Sequence, residues 1–297
     1  MGWKLDFITE EDFTKHVAAT IAQYDKKLLP INIGKFNSNI VDPIKMIFDK
    51  NVYRYSWDEL VGNEIFRQRD KSTNNDIGYF HQRIFQYMKN CRVPDNGKEG
   101  GWDVIFHKEE GIILPDGDKV STVYVEMKNK HNTMNSSSAG KTYIKMQNQL
   151  LKNDDCACFL VEAIAKKSQN IKWTTTVNGS SVSHKRIRRV SIDQFYELVT
   201  GCRTAFYDMC MVLPNVISKV VSSDKNIEIP HDTVIDELRK IACSLEIQNE
   251  ELAMSMAVYM LGFSTYKGFE QCIVFPEYTD NDNLLKRLYE YADIADK

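Results

Sequence analysis

The clearest alternation of apolar and polar positions in the chain lies at residues 120–130, where Val123, Val125 and Met127 interleave with Tyr124, Glu126 and Lys128. A period of two predicts a strand with one face in a core. Glu126 and Lys128 then share the other face, about 7 Å apart along the strand. Upstream, after a glycine pair, Gly101-Trp-Asp-Val-Ile-Phe106 reads as a short apolar strand carrying a single acid, Asp103. Between the two, Leu114-Pro-Asp-Gly-Asp-Lys119 reads as a hairpin turn at its Asp-Gly step, with a further short strand at about 111–114. Downstream, Ala157-Cys-Phe-Leu-Val161 is a continuous apolar run of strand length, the pattern of a strand buried on both faces.

Helical spacing surrounds these strands. Phe13, Val17, Ile21 and Tyr24 predict a helix over 8–28, capped by Thr9 with Asp12 at its third position. Residues 40–68 carry further helical patterning through Ile44, Ile47 and Phe48, then Trp57, Leu60, Val61, Ile65 and Phe66. The polar stretch 69–75 reads as a loop whose Asn75 caps a helix from 76 to about 90. Residues 131–140 are small and polar and read as a loop, followed by a helix from 141 to about 153. Tyr143, Met146 and Leu150 form one stripe of that helix and Lys141, Lys145 and Lys152 another. A second hairpin is expected around Asn178-Gly179, with arms at 172–177 and 182–190. Helices follow through Phe195 and Leu198, capped by Ser191, and through Phe206, Met209 and Leu213. After a polar linker at 222–231, helical spacing returns at Val234 to Leu245, Leu252 to Met260 and Leu284 to Ile294. Helix, strand, strand, helix, strand over 75–165 predicts an α/β fold: helices on one side of a mixed sheet, with Asp103 and Glu126 on adjacent central strands. The segments expected are an N-terminal helical part (1–70), a core with the second hairpin (71–220) and a C-terminal helical part (221–297), together one compact domain.

Composition changes this picture in two respects. At 297 residues and 43% hydrophobic the chain can bury a large core, but its net charge of −3 gives no general attraction for nucleic acid, so such binding would rest on local basic patches. The seven cysteines show no Cys-x-x-Cys spacing and read as reduced core thiols. With neither a signal-like apolar stretch near residue 1 nor a run long enough to span a bilayer, a cytoplasmic location is expected.

A carboxylate and an ammonium side by side at the end of an apolar strand are costly unless solvent, a metal or each other compensates them. Two readings of Glu126 and Lys128 follow from the residues alone. They form a surface ion pair on an edge strand, or, with Asp103, they hold a divalent cation beside a phosphate while the lysine orients a water.

Asp103 followed, after a hairpin, by Glu126-Met127-Lys128 resembles the signature of the PD-(D/E)xK nuclease superfamily, with Trp102 where proline is usual. Four stretches carry a narrower likeness: Asn-Asn-Asp-Ile-Gly-Tyr-Phe-His-Gln at 74–82, Gly-Trp-Asp-Val-Ile-Phe at 101–106, Tyr-Val-Glu-Met-Lys-Asn-Lys-His-Asn-Thr-Met-Asn-Ser at 124–136 and Cys-Ala-Cys-Phe-Leu-Val-Glu at 156–162. They resemble type II restriction endonucleases that cleave 5′-GGNCC-3′. The resemblance implies a restriction-endonuclease-like core, a mixed central sheet flanked by helices, with additional N- and C-terminal helices. It implies Mg²⁺ on Asp103, Glu126 and the Met127 carbonyl, with Lys128 polarising the attacking water, and ends bearing 5′-phosphate and 3′-hydroxyl. Asp76 and Glu64 are both candidates for an accessory acid. The partners implied are double-stranded DNA, a second copy of the chain in a homodimer, and a companion methyltransferase that need not touch it.

Reading a G·C pair requires donors and acceptors at base edges. The candidates are Lys130, His131, Asn132, Asn135 and Ser136 after the catalytic strand, and Lys185, Arg186, Arg188 and Arg189 on the second hairpin. Lys141 and Lys145 are expected at phosphates. His81 and Gln82 either face the site or are structural, and the methionine-rich helix at 252–261 is either core or a dimer interface. The competing functions are a structure-specific repair nuclease and a DNA-binding module without activity.

Overall fold

The computed structural model describes residues 3–27, 29–95, 97–131, 133–223 and 231–263. In chain order the helices and strands are α1 (Glu10–Lys27), α2 (Ile33–Asn37), α3 (Pro43–Tyr53), α4 (Trp57–Arg83), β1 (Cys91–Arg92), β2 (Val104–Ile113), β3 (Lys119–Lys130), α5 (Ser136–Lys152), β4 (Cys156–Ile164), β5 (Asn170–Val177), β6 (Ser180–Ser191), α6 (Ile192–Thr200), α7 (Ala205–Ser223), α8 (Val234–Ser244) and α9 (Glu250–Phe263). The chain divides into two units, one joining residues up to Tyr24 with 74–226, the other joining 25–73 with the chain from 227. These differ from the three segments drawn from sequence: α1 goes with the sheet, while 25–73 go with the C-terminal helices.

The first unit is built on a six-stranded mixed sheet of order β1-β2-β3-β4-β6-β5. β1, β2 and β3 run antiparallel, β3, β4 and β6 run parallel, and β5 returns antiparallel to β6. Two antiparallel strands need only a tight turn, which Asp116-Gly117 and Asn178-Gly179 supply; Asn178 and Gly179 both take positive φ (49° and 79°). Parallel pairing of β3 with β4 needs a crossover, and α5 is that crossover. The stretch at 111–114 continues β2 beyond a bulge.

Alternation sends the two faces of the sheet into different cores. Val123, Val125, Met127, Phe159 and Val161 pack with Phe13 and Val17 of α1, Phe195 of α6 and Met209 of α7. Ile105, Cys158, Leu160 and Ile187 pack on the opposite face with Tyr143 and Met146 of α5. Helices therefore cover both faces, not one. The sequence reading missed this because the pattern of a strand records how many of its faces are buried, not which helix buries each.

Two polar stretches read as loops are helical. Residues 69–75 contain no proline or glycine, and α4 runs straight through them. Tertiary contacts hold each end: Arg69 pairs with Asp232 at 2.7 Å in the second unit, and the Asn74 carbonyl accepts from Asn129 Nδ2 at 2.7 Å in the first. At 136–140, Asn135 in extended conformation accepts from Ser138 N at 2.9 Å and starts α5 at Ser136, ahead of the expected start at residue 141.

The second unit is helical. Met254, Val258 and Leu261 of α9 pack with Val234, Leu238 and Ile241 of α8, Met46 of α3 and Leu60 and Ile65 of α4, so the methionine-rich helix is core on that face. The helical pattern at Leu284 to Ile294 lies outside the described residues. Among the described residues no helix is long and apolar enough to cross a membrane.

Candidate active site

β-pairing brings the two acids together. Asp103 sits one residue before β2, its N–H donating to the Val125 carbonyl of β3 at 2.9 Å, so it stands beside Glu126. Asp103 Oδ2 accepts from the Met127 N–H at 2.6 Å and Oδ1 from Gln82 Nε2 at 3.2 Å. Glu126, its side chain 15% exposed, accepts from two ammonium groups: Lys128 Nζ on Oε1 and Lys145 Nζ on Oε2, each at 2.8 Å. Lys145 reaches over from α5, donates also to the Gly101 carbonyl at 2.6 Å, and lies 4.2 Å from the centre of the Trp102 ring.

Burial divides the two carboxyls. Desolvation pushes Asp103 above the usual carboxylate range against the pull of the Met127 N–H, and the neighbouring negative charge of Glu126 pushes the same way. Desolvation also opposes ionisation of Glu126, but Lys128 and Lys145 together outweigh it and hold this carboxyl below its usual range. The result is a withdrawn pair of carboxyls flanked by two cations. Among the described residues no three His, Cys, Asp or Glu side chains converge as metal ligands. A cation here would take two carboxylates and complete its shell with backbone, water or phosphate oxygens, which suits a hard ion of the Mg²⁺ kind and not zinc.

A second network adjoins the first. Lys128 pairs in register with Glu162 on β4, a carboxylate only 1% exposed. His131 Nδ1 lies 3.0 Å from Glu162 Oε2, Arg189 Nε donates to Oε1 at 2.9 Å, and Arg189 Nη2 donates to the His131 carbonyl at 3.0 Å. This ties the residue following the Lys128 strand to β4 and β6. Sequence reasoning missed Glu162, whose one signal was an acid directly after an unbroken apolar run.

The matching family profile, that of the Eco47II restriction endonuclease, covers residues 5–222. The chain belongs to this family. As a member it is a type II restriction endonuclease, an enzyme that cleaves DNA site-specifically. It is 29% identical over 218 residues to the type II restriction enzyme Sau96I of Staphylococcus aureus, covering 71% of this chain and 78% of that protein. To the type II restriction enzyme Eco47II of Escherichia coli it is 29% identical over 229 residues, 73% of this chain and 88% of the relative. The family match spans the whole sheet and every residue of the two networks, while α8 and α9 lie beyond it. Membership sets aside the repair-nuclease and non-enzymatic alternatives.

The other residues singled out for this enzyme fall in distinct places. The basic strand is largely neutralised from within. Lys185 and Arg186 pair with Asp118 at 2.7 and 3.0 Å, and buried Arg188 donates to Asn170 and lies 3.5 Å from Asp116. These acids belong to the β2–β3 turn, and local periodicity carries no sign of such a distant pairing. Lys130 and Lys141 are exposed and show no ion pair among the described residues. Asn135 caps α5, Ser136 is exposed in its first turn, and Asn132 lies outside the described residues. Asp76 is buried on α4 and lines a polar cavity of about 670 Å³ with His16, Tyr79, Gln82 and Arg83. Glu64 belongs to the other unit and is engaged by Arg67 and Gln68. His81 is half-buried, with its pKa lowered to about 4 by desolvation, and its Nδ1 has no hydrogen-bond partner among the described residues.

Proposed function

We propose that this restriction enzyme hydrolyses duplex DNA in a Mg²⁺-dependent reaction at 5′-GGNCC-3′, as a homodimer with one site per protomer. The observation that carries the reading is the pairing of Asp103 with Glu126 at the end of a central strand, with two lysines on the second acid. Asp103, Glu126 and the Met127 carbonyl are the residues that would hold Mg²⁺, and the half-buried Asp103 carboxyl, whose hydrogen-bond partners among the described residues are the neutral Gln82 amide and Met127 N–H, fits a cation there. When bound, Mg²⁺ supplies positive charge to the scissile phosphate. Lys128 donates to the water that attacks in line and neutralises charge developing on the phosphorus oxygens. Gln82 and the Met127 N–H hold the Asp103 carboxylate in one orientation, so no reorganisation is needed during reaction. The products carry 5′-phosphate and 3′-hydroxyl. Asp76 is favoured over Glu64 as an accessory acid, because it shares its cavity with Gln82, which touches Asp103.

The GGNCC assignment rests on the likeness at 74–82, 101–106, 124–136 and 156–162, which flank and include the acids. A methyltransferase of the same specificity would protect host DNA without contact with this chain. The test is to incubate the protein with unmethylated plasmid and Mg²⁺ and to sequence the fragment ends. Ends at one five-base-pair motif support the reading, and ends without a common motif overturn it. D103A, E126A and K128A are expected to lose cleavage while still binding the site in Ca²⁺; loss of binding in all three would show that the residues serve DNA affinity instead.

A further inference from the structure

Two ammonium groups sit on the single carboxylate of Glu126, and they are held very differently. Lys128 has one hydrogen-bond partner among the described residues, Glu126 Oε1. Lys145 has three attachments: Glu126 Oε2 at 2.8 Å, the Gly101 carbonyl at 2.6 Å, and the face of Trp102, 4.2 Å from the ring centre. Two of these do not involve the acid at all. Trp102 is itself fixed, 3% exposed, with its ring 5.4 Å from that of Tyr124 on β3. α5 is a 17-residue helix seated on the sheet through Tyr143 and Met146, so the Lys145 stem starts from a rigid base. If the carboxylates take up a divalent cation, its repulsion of the two ammonium groups favours release of one of them from Glu126. The ammonium with one partner is the one free to leave.

We propose that Lys145 is a positioning residue for cleavage: it keeps Glu126 Oε2 paired and the carboxylate oriented, so that Lys128 can release Oε1 and turn to the water and phosphate. This deepens the reading of Asp103 and Glu126 as the cation-holding pair and rests on it. The role differs from a phosphate contact, for which a side chain must face the DNA; Lys145 is spent on a carbonyl, a ring and an acid within the chain. Without Lys145, Lys128 becomes the sole compensation for a largely buried carboxylate and stays on it. The site then loses its water-orienting group, while one positive charge that opposes cation binding has been removed.

Those two consequences have opposite signs, and the test uses that. The full-length chain is compared with K145M, which keeps length and apolar contact with Trp102, and with K145R, which keeps the charge. Mn²⁺ binding without DNA is measured by calorimetry, DNA affinity in Ca²⁺ by gel shift, and cleavage by single turnover at saturating Mn²⁺. For K145M, Mn²⁺ binding is expected to be at least as tight as in the parent, tightening by up to about tenfold for the loss of one nearby charge. Cleavage should fall about 100-fold through misplacement of the reacting groups, with DNA affinity within about twofold, and K145R should recover much of the rate. A parallel loss of Mn²⁺ affinity and rate would overturn the proposal and make Lys145 a prop for the ligand set. A parallel loss of DNA affinity and rate would overturn it in favour of a phosphate contact, and an unchanged rate would overturn it outright. If K145M does not fold by circular dichroism, K145Q is carried through the same three measurements. Failure of the underlying reading looks different: E126Q would then bind Mn²⁺ as tightly as the parent.

Discussion

Gln82 occupies a position where a neutral side chain decides the behaviour of a charged one. Its amide nitrogen donates to both the Asp103 carboxylate (3.2 Å) and the Asp103 carbonyl (3.3 Å), bracketing that residue from α4. Q82A should slow single-turnover cleavage by about tenfold or more through loss of orientation, while lowering stability by about 1 kcal/mol. An unchanged rate would mean that β-pairing alone holds Asp103. His16 sets a different residue-scale limit. Burial lowers its pKa to about 4, although its ring nitrogen lies 2.9 Å from the Phe80 carbonyl, to which the neutral ring donates. A folded-state value below the ordinary 6.5 means that the unfolded chain binds the proton first. The stability gained by keeping this ring neutral is therefore complete above pH 6.5 and is lost as pH falls toward 4. Within that window each such histidine contributes a slope of about 1.4 kcal/mol per pH unit, and His81, also held near 4 by burial, adds a second. Urea midpoints at pH 7.5 and pH 5 should differ markedly in the parent and less in H16Q; equal shifts in the two would remove His16 from the account.

At the scale of elements, α4 shows what a sequence does and does not reveal. Its outer turns were legible from apolar spacing, but its continuity through 69–75 was not, because the contacts that hold it there involve Asp232 and Asn129, both far along the chain. β3, β4 and the two hairpins were legible because alternation, an unbroken apolar run and Asp-Gly or Asn-Gly steps are local properties. Asp103, Glu126 and Lys128 could be singled out for the same reason. That Lys145 turns into the site, that Glu162 anchors Arg189, and that Asp118 absorbs two charges of β6 are non-local facts with no local signature. The glycines of α4 permit a test within one helix. At exposed Gly62 nothing lies within 4 Å of an added Cβ, so G62A should stabilise by about 0.5–1 kcal/mol. At Gly78 the same methyl would meet Asn129 Oδ1 at 3.0 Å and push it from the Asn74 carbonyl. G78A should show no such gain and lose about 1 kcal/mol with that hydrogen bond. Equal effects at both positions in a thermal melt would deny Asn129 its role in seating the helix.

The proposed palindromic target sets a symmetry requirement on the whole molecule. A palindromic duplex presents the same half-site twice, and a two-fold dimer with one Asp103–Glu126 pair per protomer would place one cutting centre on each strand. The chain carries a net charge of −3, and its basic strand is neutralised by Asp116 and Asp118. A single copy therefore has little general attraction for DNA, and pairing of two copies would double exposed cations such as Lys130 and Lys141. If each protomer cuts one strand, the catalytic pairs can be inactivated one at a time. Equal amounts of parent and E126Q protein, mixed under conditions that allow exchange of protomers, should yield half of the dimers with one working site. On supercoiled plasmid those dimers would release nicked circles that accumulate ahead of linear DNA, where the parent alone gives linear DNA and E126Q alone gives none. Linear product without a nicked excess, falling in simple proportion to dilution of the parent, would place both cuts in one copy of the chain and exclude the paired arrangement.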